Sequence, residues 1–146
     1  MNRDDILNKE AGPEMNALVA EYVMGQTDFD HPGFFWNEGT TEDGKDGWDG
    51  FNCPRCGAPK GDTGKCVKHY STDISAAWEV IEKLKQLGFL IIRLATGDIL
   101  GNFWQFQCAD KWREISRDGD KDYFANAPTA PLAICQAALL AMLEDV

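Results

Sequence analysis

Long apolar runs are missing from this sequence. None of its 146 residues belongs to a stretch approaching the ~20 consecutive apolar residues that a membrane span requires. The opening Met1-Asn2-Arg3-Asp4-Asp5 also lacks the basic and then apolar layout of an export signal. The expectation is a soluble protein of the cell interior with no membrane partner. Basic side chains are few, 14 Lys and Arg against 24 Asp and Glu, for a net charge of −10. Such a field repels phosphate backbones, and affinity for DNA or RNA is dominated by neutralising them, so general nucleic-acid binding is not expected. Only two histidines occur, and there is neither a GxSxG elbow nor a phosphate-cradling glycine loop followed by Lys-Ser or Lys-Thr. An enzyme would have to be assembled from His31 and scattered carboxylates, so no catalytic residues are assigned.

What is present fits one domain over residues 1–146. A chain that is 44% hydrophobic and 26% charged has enough apolar side chains for a core. A domain of this size buries roughly two-thirds of its unfolded surface and folds without disulfides. Five cysteines make an odd count, and the first three lie close together beside a histidine. Without an export signal, that pattern points to reduced thiols and a metal. Cys108 and Cys135 sit in apolar stretches and read as small buried hydrophobes.

Composition separates three zones. Met15, Leu18, Val19, Tyr22 and Val23 follow helical spacing between Pro13 and Gly25, and Asn2 to Asn8 suits a short preceding turn. Nine of the 14 glycines fall in the next zone, residues 25–70, which excludes regular secondary structure there. In the third zone Ser71-Thr72-Asp73 offers N-caps for a helix with Ile74, Ala77, Trp78, Ile81 and Leu84 on one face, ended by Gly88. Residues 89–95 form a strand apolar on both faces, which demands cover on both sides. Residues 100–108 and 111–117 supply two more strands in an antiparallel meander, with a turn at 118–120. Thr129 then caps an apolar last helix carrying Leu132, Cys135, Leu139 and Met142. The expected fold is α+β. It is a three-layer α/β/α sandwich with a mainly antiparallel three-stranded sheet, the N-terminal helix covering its far face, and an irregular zinc-stabilised loop insertion at residues 26–70.

The strongest chemical signal is Cys53-Pro54-Arg55-Cys56 followed, after nine residues, by Cys66-Val67-Lys68-His69. A ligand pair at each end of a short turn-rich loop closes a tetrahedron of three thiolates and one imidazole around Zn²⁺. Four protein ligands leave no open position, so the zinc reads as structural. A deaminase-type zinc needs His and then Glu ahead of a PCxxC, and His31 with Glu38 does not meet that spacing. Calcium is not expected from Asp118, Asp120 and Asp122, because Tyr123 stands where the calcium loop needs glycine.

Five aromatics, Phe34, Phe35, Trp36, Trp48 and Phe51, decorate the same loop. They read either as a partner-binding surface or as a satellite cluster packed beside the zinc. Residues 27–50 carry seven acids against Lys45, and a basic stretch with Arg55, Lys60, Lys65 and Lys68 adjoins them. This is either a partner surface or a solvated face.

Three segments resemble the phage ABA sandwich domain family: residues 11–21 with Val23-Met24-Gly25, Tyr70-Ser71-Thr72-Asp73-Ile74 through Val80, and Thr129-Ala130-Pro131-Leu132 through Leu140. The resemblance spans residues 3–25 and 70–143 and leaves the cysteine-bearing segment uncovered. It implies a layered fold, a bacteriophage or prophage origin, residence in the cytoplasm of the infected bacterial host, and no assigned enzymatic activity. On these grounds the expected function is a non-catalytic accessory protein binding a host or phage protein, for instance to counter a host defence. The alternative is a binder of a small signalling nucleotide using Arg93, Lys111 and Arg113; a zinc hydrolase or deaminase comes third.

Overall fold

The computed structural model describes residues 1–30, 53, 55, 56, 65–96, 103–110 and 122–143. The chain divides into two compact units, a larger one of Met1–Gly25 with His69–Val146 and a smaller one of Gln26–Lys68.

The larger unit opens with helix α1 (Arg3–Leu7), set by a capping box. Asn2 Oδ1 accepts the Asp5 N–H at 2.8 Å, and Asp5 Oδ2 accepts the Asn2 N–H at 3.1 Å. Helix α2 (Pro13–Leu18) runs directly into a π-helical segment, Val19–Val23, where the Met24 N–H donates to the Val19 carbonyl five residues back. The wider turn moves the apolar stripe. Met15, Asn16, Val19, Ala20 and Val23 are buried, while Tyr22, expected inside, is exposed. Gly25, at φ +70°, ends the segment.

Helix α3 (Ile74–Gln86) starts where Asp73 accepts the Ser75 N–H at 2.9 Å and ends before Gly88 at φ +96°, with Lys83 and Lys85 in its last turn. Its buried stripe is Ala76, Ala77, Val80, Ile81 and Leu84. Ile74 and Trp78, expected on that face, are about half exposed, because a stripe running through Val80 and Leu84 leaves both on its flank.

Strands β1 (Phe89–Thr96), β2 (Trp104–Asp110) and β3 (Asp122–Ala127) form an antiparallel sheet in the order β1-β2-β3. The expected α+β class with a three-stranded antiparallel sheet is what the described residues form. The third strand of the sheet lies at Asp122–Ala127, where none was expected, and the strand expected at residues 111–117 falls outside the described residues. Its alternation is strict, with Tyr123, Ala125 and Ala127 buried and the residues between them exposed.

Strand β1 departs from plain alternation. Its register steps from Ile91↔Cys108 to Arg93↔Gln107, so Ile92 has no partner and forms a bulge. Ile91 and Leu94, which unbroken alternation would send to opposite faces, both stand opposite buried residues, Cys108 and Phe106. Phe89, Leu90, Ile91, Leu94 and Ala95 are all half-buried, so both faces of the strand are partly covered. Ile92 is 48% exposed and Phe124 is 39% exposed.

Helix α4 (Ala130–Leu143) begins at Thr129, whose Oγ1 accepts the Leu132 N–H at 3.4 Å, and is buried continuously from Ala130 to Ala141. It is apolar all round because it has neighbours all round: β2 and β3, α3, and the N-terminal helices. The N-terminal helices, expected on the far face of the sheet, have α4 and α3 among their packing partners, and the Arg3 guanidinium of α1 stands 5.8 Å from the ring centroid of Phe124 on β3. Among the described residues, no helix is long and apolar enough to cross a membrane.

A buried polar knot ties α2 to the approach of α3. Asn16 Oδ1 accepts both the Ser71 N–H at 2.8 Å and the Ser71 hydroxyl at 2.6 Å, and Ser71 Oγ accepts the Gly12 N–H at 2.9 Å. Both side chains are buried. On α4, Gln136 Nε2 donates to the Leu7 and Lys9 carbonyls at 3.1 and 3.2 Å, and its own Oε1 is buried without a partner among the described residues.

Candidate metal centre

Cys53, Cys56 and Cys66 are brought together in the smaller unit. Their sulfurs all lie within 4.8 Å of one another, and Cys53 Sγ and Cys66 Sγ are 3.8 Å apart. The side chains are 2%, 8% and 2% exposed, so water has almost no access to the group. Burial, and then the neighbouring Cys53 and Cys56 thiols, push the Cys66 thiol above its ordinary range. Three crowded sulfurs out of water cannot all become anions unless a cation sits among them. Thiolates around Zn²⁺ at about 2.3 Å would be separated by a tetrahedral edge of about 3.8 Å, the separation of the Cys53 and Cys66 sulfurs.

Main-chain bonds hold this arrangement. The Cys66 N–H donates to the Phe29 carbonyl at 2.7 Å, and Gln26 Nε2 donates to the Cys66 carbonyl at 2.6 Å and to the Asp28 carbonyl at 2.8 Å. Asp28 Oδ1 in turn accepts the Asp30 N–H at 2.9 Å. On the other ligand pair, Arg55 Nη1 lies 3.5 Å from the Asp30 carbonyl and 3.8 Å from Asp28 Oδ2. Lys65 Nζ stands 5.2 Å from the centroid of the Phe29 ring. The strap of residues 26–30 therefore engages both ends of the ligand set. No feature of the sequence marks Gln26 or Phe29 for this role, because the strap acts largely through carbonyls that every residue carries.

The remaining sequence candidates fall elsewhere. His69 begins the larger unit with its side chain exposed, and its carbonyl accepts the Thr72 and Asp73 N–H groups at 3.3 and 2.9 Å in the turn that leads into α3. The aromatics Phe34, Phe35, Trp36, Trp48 and Phe51 lie outside the described residues, as do His31, Lys111, Arg113, Asp118 and Asp120. Arg93 is exposed on β1, and Asp122 is the exposed first residue of β3. Cys108 and Cys135 are fully buried free thiols, as their apolar surroundings in the sequence imply.

No curated protein matches the chain. Among solved structures, it is similar to a phage protein from Bacillus cereus ATCC 14579, at 23% identity over 90% of this chain and 92% of that one, with a TM-score of 0.48. The sequence model of the phage ABA sandwich domain matches residues 17–139, a span that includes both the thiol cluster and the sheet with its two long helices. The chain belongs to the phage ABA sandwich domain family.

Proposed function

We propose that this chain is a non-catalytic phage accessory protein whose smaller unit is a zinc-stabilised insertion presenting a recognition surface to a host or phage protein. The convergence of three buried thiols carries the reading. Three sulfurs favour a soft or borderline ion, and zinc supplies tetrahedral binding without redox chemistry. The CxxC…CxxH spacing offers His69 as a fourth ligand, while the group gathered among the described residues is the three cysteines. A shell closed by four protein ligands leaves no position for substrate, which is the ground for reading the ion as structural.

The partner surface is assigned to Phe34, Phe35, Trp36, Trp48 and Phe51 within the acidic stretch of residues 27–50. Large aromatic side chains supply much contact area for few rotatable bonds. The site of action is the reducing cytoplasm of the infected host, where free thiols persist, and countering a host defence is the role assigned.

Elemental analysis of protein purified without chelator tests the metal, with about one zinc per chain expected from a closed four-ligand site. For the partner, a host protein captured by the wild-type chain should be lost when Trp36 and Trp48 are replaced by alanine. Retention by that variant refutes the aromatic surface. An unexplained bound mass in native mass spectrometry replaces the protein partner with a small ligand.

A further inference from the structure

We propose that Gln26 is a positioning residue of the thiol centre, setting Cys66 opposite the Cys53–Cys56 turn through hydrogen-bond donation. The inference rests on the reading of the three thiols as a metal site and adds to it the means by which the third thiol is held in place.

The two ligand segments are far apart in the chain, since nine residues separate Cys56 from Cys66. Cys66 is fixed on both of its main-chain polar groups, and by the same short strap. Its N–H is held by the Phe29 carbonyl at 2.7 Å, and its carbonyl is held by Gln26 Nε2 at 2.6 Å. With both groups engaged, the Cys66 backbone holds the direction of its Cα–Cβ bond, which points the side chain at Cys53, whose sulfur lies 3.8 Å from its own.

The second Gln26 N–H closes the strap on itself by donating to the Asp28 carbonyl at 2.8 Å, which holds the strap in register with Phe29. One carboxamide thus joins the strap to the ligand segment and shapes the strap at the same time. Both jobs use the NH₂ group and neither uses the carboxamide oxygen, so the role demands a donor with two hydrogens. The Arg55 contacts to Asp28 and Asp30 are longer and more exposed, and they add less.

Outer groups that orient ligands are typically worth about tenfold to a hundredfold in metal affinity. The test is chelator competition for Zn²⁺, with Co²⁺ spectra recorded on the full chain. Gln26→Glu keeps the length but loses the donor at neutral pH. It should weaken binding by about tenfold or more and alter the thiolate-to-cobalt charge-transfer band. Gln26→Lys, which restores a multi-hydrogen donor of similar reach, should recover most of the affinity. Asp28→Asn should change it by less than about threefold, since the ion pair it removes is exposed.

Wild-type affinity in Gln26→Glu overturns the positioning role while the thiol site stands. Equal losses in Gln26→Glu and Gln26→Lys also overturn it, because donation is then not what matters. A wild-type chain that binds neither ion overturns the site and the positioning role together.

Discussion

Replacing Asn16 with alanine should destabilise the larger unit by about 2–4 kcal/mol, and the figure follows from what the Ser71 donors can do afterwards. Ser71 is fully buried, and both its N–H and its hydroxyl donate to the single oxygen Asn16 Oδ1, at 2.8 and 2.6 Å. The hydroxyl has an alternative in the Gly12 carbonyl at 3.5 Å, so it is weakened but not stranded. The backbone N–H cannot rotate, and among the described residues Asn16 Oδ1 is its acceptor. A buried donor left without a partner costs about 1–3 kcal/mol, and the lengthened hydroxyl bond with the small void adds about 1 kcal/mol more. For a domain of this size each kcal/mol is worth about 2–4 °C, so the melting temperature should fall by roughly 4–16 °C. Ser71→Ala is the comparison. It strands the Gly12 N–H, which Ser71 Oγ accepts at 2.9 Å, but leaves the Ser71 N–H bonded to Asn16, so it should cost about 1–2 kcal/mol. The double variant should cost clearly less than the sum, because both single changes break the same knot. Circular-dichroism melts and urea titrations read all three. An Asn16→Ala variant within about 0.5 kcal/mol of wild type, or strict additivity in the cycle, would refute the reasoning.

Three further outcomes follow from named groups. Cys56→Ser should abolish stoichiometric zinc and raise amide exchange across residues 26–68, while the larger unit keeps a cooperative melt; loss of that melt would deny the larger unit its own core. Burial and then the Asp122 charge push the Cys108 thiol from 9.0 up to about 12. The folded state therefore holds this proton longer than the unfolded chain, so the contribution is intact below pH 9 and is lost as pH rises towards 12, about 4 kcal/mol at most. Urea titrations at pH 8 and 10 should show Cys108→Ala losing less stability over that interval than wild type, and equal losses would contradict the assignment. Gly88→Ala should cost about 1 kcal/mol in the same assay despite open space around the added carbon, because φ is +96°; a neutral substitution would show that the turn relaxes.

Helices were legible where several local signals coincide. Asp73, the paired Lys83 and Lys85, and Gly88 each mark an end of α3, and the observed helix stops where they say it should. Faces were less legible than ends. Ile74 and Trp78 carry the right chemistry for a core and lie outside it, because the choice of buried face belongs to α4 and β1, which the α3 sequence does not contain. In the sheet, one unpaired residue misled: Ile92 shifts the phase of β1, so plain alternation does not assign its faces. Strand β3 was missed because its core positions after Tyr123 are Ala125 and Ala127, poor strand formers alone. They are strand residues by pairing with Phe106 and Trp104 and by lying beneath α4.

The thiol cluster was legible for the opposite reason, since its information lies in residue type and spacing and needs no packing to be read. The smaller unit then turns that chemistry into a structural question. Among its described residues, Cys53, Cys56 and Cys66 are the buried side chains, and together they form its buried cluster. Buried sulfurs can contribute to this unit through bonds as well as through packing. A disulfide can join Cys53 to Cys66 across their 3.8 Å separation, but it leaves Cys56 as an odd buried thiol and answers for only one of the two halves of the CxxC pair. A single cation takes all three sulfurs at once, converts their mutual repulsion into attraction, and ties both ligand segments to one point. The odd number of sulfurs, together with their near-complete burial, is what favours an ion over a covalent bridge in this unit.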